Sequence, residues 1–105
     1  MIAAKYGRSG RLFSLEISGH AGYAQNNDIV CASVSAVAYA LLGYLSEQKD
    51  RHMRLRYKIS KGYMLISVRA GGKSLSAVMT AFEIATTGLR QISEAYPTHV
   101  SYCIA

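Results

Sequence analysis

Two side chains in this sequence have the chemistry and the spacing to act together on a carbonyl carbon: His20 and Cys31. Asp28 stands in front of an apolar run, as a helix N-cap does, which puts Cys31 in the first turn of the helix that follows. The first amides of a helix have no partners within it. The positive end of its dipole stabilises a negative charge nearby by ~0.3–1 kcal/mol. The thiolate is the nucleophilic form of cysteine, and helix N-termini are a recurrent place where it is favoured. Asp28 would oppose that charge if its carboxylate faced the sulfur, but a capping role turns it toward backbone amides instead. An attacking thiolate also needs a proton donor for the departing group, and imidazole changes between acid and base near neutral pH. Seven residues, 21 to 27, separate His20 from Asp28, enough chain to fold the imidazole back over the sulfur. The amides of the same helical turn are then expected to receive the oxyanion.

Each of these residues also has a plainer reading. A cysteine in a first helical turn is usually a small buried hydrophobe, and a loop histidine is often a surface residue or a partner for backbone. His52 reads as a connector between helix and strand, His99 as a residue alternating with Ser101 on a strand, and Cys103 as packing. Gly72-Lys73-Ser74 resembles the tail of a phosphate-binding loop, yet the required upstream glycine position is Ser67 and the segment follows a hairpin. With no Cys-x-x-Cys or His-x-x-x-His pair, neither a metal nor a cofactor is expected.

The elements that must position His20 and Cys31 follow from periodicity. Residues 2–6 and 12–18 read as strands of a hairpin around Gly7-Arg8-Ser9-Gly10, with Phe13, Leu15 and Ile17 alternating against Ser14, Glu16 and Ser18. The segment from Gly19 to Asn27 is rich in glycine and asparagine and reads as an exposed, partly mobile loop. Val30, Val34, Val37, Leu41 and Leu45 recur at helical spacing through about Gln48, and the remaining sides of that helix are also apolar. Such a helix must be covered on more than one side, by the sheet and by a second helix or a subunit. Asp50 and Arg51 bring the chain out again. Met53, Leu55, Tyr57 and Ile59 alternate with Arg54, Arg56 and Lys58. A turn at Ser60-Lys61-Gly62 then leads into a strand to Arg69. Ser74 is a possible cap for a helix whose face is Leu75, Val78, Met79, Phe82, Ala85, Leu89 and Ile92, running to Ala95 before Pro97. Residues 98–104 alternate as a last strand. The order β-β-α-β-β-α-β predicts an α+β domain, two long helices packed on a mixed or antiparallel sheet, with residues 1–105 as one unit.

Composition bounds the rest. Half of the 105 residues are hydrophobic and 17% are charged, too apolar for disorder and suited to a well-buried core with a possible subunit interface. The run from Ile29 to Leu45 lacks basic flanks and reads as a core helix rather than a membrane span. Two cysteines without a signal segment fit a reducing cytoplasm. A net charge of +6 favours anionic partners, but it is scattered over solvated faces and turns.

The segment Gly19-His20-Ala21-Gly22-Tyr23-Ala24 followed by Asp28-Ile29-Val30-Cys31-Ala32-Ser33-Val34-Ser35-Ala36 resembles the bacterial ribosomal-processing cysteine protease family, often called Prp. Gly88-Leu89, Ile92 and Tyr96-Pro97 before a closing strand extend the resemblance over essentially the whole chain. It implies a homodimeric cysteine endopeptidase that removes the N-terminal extension of the large-subunit ribosomal protein numbered twenty-seven, cutting after an aromatic-rich stretch and before a small residue. It makes His20 and Cys31 the catalytic dyad and gives Asp28 and Ser35 supporting roles; the flexible Gly19–Asn27 loop, with Gly19, Gly22 and Tyr23, is expected to close over an extended peptide substrate. Family members commonly have a slightly longer loop with a glycine ahead of the Asp. Gln25-Asn26-Asn27 stands there in this chain, and asparagine tolerates the left-handed backbone such a turn needs. Two rival readings are a noncatalytic ribosome-assembly or RNA-binding module, favoured by the Arg54, Arg56 and Lys58 face, and a thiol-based redox or acyl-transfer enzyme, which lacks a nearby resolving cysteine. Transient contact with the ribosome or RNA is compatible with the protease reading.

Overall fold

The computed structural model describes residues 1–48 and 53–105. Asp50, Arg51 and His52 therefore lie outside the described residues. The elements run β1 (Ile2–Ser9), β2 (Leu12–Gly19), α1 (Ile29–Glu47), β3 (Met53–Ser60), β4 (Tyr63–Ala70), α2 (Leu75–Ala95) and β5 (Val100–Ile104). The architecture is the expected α+β one. Five strands in the order β3-β4-β2-β1-β5 form a mixed sheet, antiparallel except for the parallel β1–β5 pair.

Alternation along the strands sorts the sheet into two faces. Phe13, Leu15 and Ile17 pair with Val68, Ile66 and Met64, and all six are buried. Ile2, Ala4 and Val100 continue that buried set. From the helices, Val30, Val34, Ala38, Leu41, Leu42 and Leu45 of α1 join Val78, Phe82, Ala85 and Leu89 of α2 in the same core. Each Val, Leu, Ile, Met or Phe side chain among them removed from water contributes roughly 1.5–3 kcal/mol before the entropy of ordering is deducted. Phe82 stacks on Phe13 with ring centroids 5.4 Å apart, tying α2 to β2. By length and composition α1 could cross a membrane, yet its Val30–Leu45 stripe is core here. The opposite sheet face carries Arg54, Arg56, Lys58 and Arg69, all exposed.

Four details depart from expectation. Strand β1 continues through Gly7-Arg8-Ser9 to leave a two-residue turn, because Gly10 at φ 59° supplies the reversal and Gly7, Arg8 and Ser9 keep pairing with Ser14, Phe13 and Leu12. Strand β5 begins at Val100 because the His99 and Val100 amides both donate to Tyr96 O at 2.9 Å, closing a turn over Pro97. Cys103 is exposed rather than packed, since its alternation on this edge strand turns it away from the core. Ser74 stands at the N-cap of α2, but its hydroxyl accepts from Gly71 N at 3.0 Å instead of a helix amide.

Candidate active site

Helix α1 starts one residue after Asp28, so Cys31 is its third residue, as the sequence pattern predicts. Asp28 Oδ1 accepts from Val30 N at 3.0 Å and Cys31 N at 2.9 Å. Its Oδ2 accepts from Tyr23 N at 3.0 Å and Ala24 N at 3.3 Å. One carboxylate thus caps the helix and ties the preceding loop to it. The Cys31 amide, followed by those of Ala24, Tyr23 and Val30, holds the Asp28 carboxyl below its ordinary range against a smaller opposing effect of burial. Both oxygens are turned to backbone N–H groups, which limits their repulsion of a charged sulfur.

The same contacts correct one expectation. Val30 N and Cys31 N are spent on Asp28 Oδ1, and Ala32 N donates to Asp28 O at 3.0 Å. These first-turn amides are not free to receive an oxyanion. The donor that faces the sulfur comes from the loop instead: Ala21 N–H donates to Cys31 Sγ at 3.3 Å. Ala21 is buried, with 3% exposure, in a loop whose other residues through Asn27 are exposed. Asn27 adopts φ 54°, the left-handed turn expected of it in place of glycine.

His20, Cys31, Ser35 and Gly19 line one cleft of about 250 Å³. Cys31, Ser35 and Tyr39 form a ridge of α1 at four-residue spacing, and Ile59, Ser60, Gly62 and Tyr63 of the β3–β4 hairpin form the facing wall. Tyr39 and Ile59 stay 50% and 42% exposed, giving the cleft apolar lips. Tyr63 donates its hydroxyl to Glu16 Oε2 at 2.9 Å. That hydrogen bond, with burial second, pushes the phenol above its ordinary range.

His20 is exposed, and its ring lies against Gly62: a Cβ built there would sit 2.8 Å from Nε2. It makes no hydrogen bond to the sulfur among the described residues, where the Ala21 N–H does. Gly19 at φ 96° packs against the Met1 carbonyl, and its N–H donates to Gly62 O at 2.8 Å, joining the two hairpins directly before His20. Gly22 and Tyr23 do not line the cleft. Tyr23 instead meets Tyr96 and His99 edge-on, with centroids 5.6 and 5.4 Å away. Sequence reasoning missed His99, whose Nδ1 lies 2.9 Å from Ala21 O across 78 positions of chain. It also missed Tyr39, Ile59 and Gly62, whose places depend on how β3–β4 abuts α1. No three His, Cys, Asp or Glu side chains among the described residues group as metal ligands.

No curated protein matches this sequence. Among solved structures, the essential ribosomal processing protease Prp from S. aureus with a covalently linked product peptide aligns at TM-score 0.83 and 19% identity, over 100% of both chains. The same protease with a substrate peptide aligns at 0.79 and 18%, again over 100% of both. SMU.848 from Streptococcus mutans aligns at 0.74 and 29% identity, over 99% of this chain and 93% of that one. The family model of cysteine protease Prp matches residues 1–101, and this chain belongs to that family.

Proposed function

We propose that this chain is a cysteine endopeptidase in which Cys31 is the nucleophile and His20 the proton carrier. The carrying observation is a half-buried sulfur at the start of α1, contacted by the Ala21 amide, on a cleft that His20 shares. The sulfur bonds to the scissile carbonyl carbon, and His20 protonates the departing amine. A water molecule then gives a proton to His20 while its oxygen bonds to the acyl carbon, and the sulfur leaves. The Ala21 N–H, already beside the sulfur, is the donor we assign to the nascent oxyanion. Asp28 supports by fixing loop and helix, and Ser35 by offering an exposed hydroxyl one turn beyond Cys31.

The substrate we infer is the N-terminal extension of the large-subunit ribosomal protein numbered twenty-seven. The S. aureus relatives are ribosomal processing proteases with bound peptides, and the Tyr39 and Ile59 lips suit aromatic side chains. A reducing cytoplasm keeps the thiol this chemistry needs. The test is incubation of the protein with an aromatic-rich peptide from that extension and mass spectrometry of the products. Cleavage is lost in Cys31→Ala and falls about 10²- to 10⁴-fold in His20→Ala. Cleavage that continues in Cys31→Ala refutes the reading.

A homodimer is part of the same proposal. An apolar groove of about 810 Å³ between the helices, lined by Val37, Leu41, Tyr44, Ala81, Ile84 and Gly88, suits a second copy, with Ile84 itself 70% exposed. Sedimentation giving a monomer at micromolar concentration refutes it. A transient contact with the ribosome or RNA is favoured by the open sheet face, where Arg54 pairs directly with Arg69, a like-charge pair that an anionic partner would relieve. Salt-insensitive association with ribosomal subunits would exclude that contact.

A further inference from the structure

We infer that His99 is a positioning residue for Cys31, acting through Ala21; the inference rests on the reading of Cys31 as nucleophile. Ala21 is held from both ends. Its N–H donates to Cys31 Sγ at 3.3 Å, and its carbonyl oxygen lies 2.9 Å from His99 Nδ1. A carbonyl only accepts, so Nδ1 bears the proton. The neutral Nδ1–H tautomer and the imidazolium both supply it, and the contact therefore persists across the pH range of the reaction. His99 is itself anchored: its carbonyl accepts from Ile2 N at 2.9 Å, its amide donates to Tyr96 O at 2.9 Å, and its ring meets Tyr23 edge-on.

The place where β1 joins β5 is thereby connected to the sulfur through one buried residue. Without the Nδ1 donor, the Ala21 carbonyl loses its partner, residues 20–22 are free to turn, and the N–H leaves the sulfur. A hydrogen bond to sulfur strengthens as charge develops there, so the loss falls on the thiolate more than on the thiol.

Iodoacetamide alkylation of the full chain with peptide mapping reads Cys31 and the exposed Cys103 separately, the latter as internal standard. His99→Phe keeps an aromatic ring against Tyr23 but has no donor. Its Cys31 is expected to react about tenfold more slowly at pH 7 relative to Cys103, with the pH midpoint of the reaction moved upward. In His99→Asn the amide nitrogen falls near the place of Nδ1 and restores the rate to within about threefold of the parent. An unchanged Cys31 profile in His99→Phe, or an Asn variant as slow as the Phe variant, overturns the proposal. A measurement on the unsubstituted protein guards against misfolding of the variants: ¹⁵N shifts of His99 should report a protonated Nδ1 at neutral pH, and an Nε2–H tautomer overturns the proposal equally. Alkylation requires no peptide cleavage, so cleavage persisting in Cys31→Ala would defeat the protease reading and leave this result intact.

Discussion

Replacing Gly62 by alanine separates the position of His20 from the stability of the fold, because Gly10 provides a matched control. Both glycines sit in two-residue hairpin turns, at φ 70° and 59°. An L-residue in that region costs roughly 1 kcal/mol, so each Gly→Ala variant should lose about 4 °C of melting temperature. Around Gly10 a Cβ meets nothing within 4 Å, and its cost ends there. At Gly62 the same atom falls 2.8 Å from His20 Nε2 and 3.2 Å from Cε1, against 3.4 Å for ordinary contact. The imidazole must therefore retreat by roughly 0.6 Å or swing away, and a misplacement approaching 1 Å in a reacting group can cost 10²-fold. Thermal melts and kcat/KM on the aromatic-rich peptide read the two effects independently. The expected result is equal melting temperatures for the two variants, full activity in Gly10→Ala, and a ten- to hundredfold loss in Gly62→Ala. Equal activity in both would mean that the ring beside Gly62 is not the proton carrier, or that its place there is irrelevant to turnover.

Two further substitutions probe what holds the site together. Gly19→Ala places a Cβ against the Met1 carbonyl at φ 96°, where backbone rather than a movable side chain must yield; loss of at least about 3 kcal/mol in urea melts is expected, and a variant as stable as Gly10→Ala would refute this. Asp28, whose folded carboxyl is held low by the Cys31 amide, contributes stability that is fully present above the ordinary carboxylate range and is lost as pH falls through the lower folded value. The gap in urea midpoint between the parent and Asp28→Ala should therefore be constant from about pH 5 to 7 and narrow below about pH 4; a gap that widens on acidification refutes the capping account.

Much of this was readable because it is local. The N-cap at Asp28, the first-turn place of Cys31, the buried stripe of α2 and the alternation of β2 and β4 all arise within a few residues, where periodicity and capping act directly. The shortness of the first turn was hidden because Gly7 and Gly10 offer the same backbone freedom, and only pairing across to Ser14 and Phe13 decides between them. His99 was hidden more deeply. Nothing in its neighbourhood marks it, since its partner at Ala21 is reached only when β5 lies parallel to β1 and brings the Tyr96–His99 turn over the loop. The residue that looked like one more alternating strand position became a loop anchor through topology.

The spent amides of α1 change how the helix start is to be understood. A free first turn would offer both a dipole and direct donors to the site, but Asp28 has taken Val30 N and Cys31 N, and its carbonyl has taken Ala32 N. What remains to Cys31 from the helix is the field of its dipole and a fixed place for the sulfur. The direct donor is contributed by Ala21, on a loop that Asp28 Oδ2 grips at Tyr23 and Ala24 and His99 grips at Ala21. The carboxylate therefore exchanges helix donors for a loop donor. That exchange puts the group facing the sulfur on the segment that also bears His20, so the proposed proton carrier and the sulfur's hydrogen-bond donor are adjacent residues of one segment.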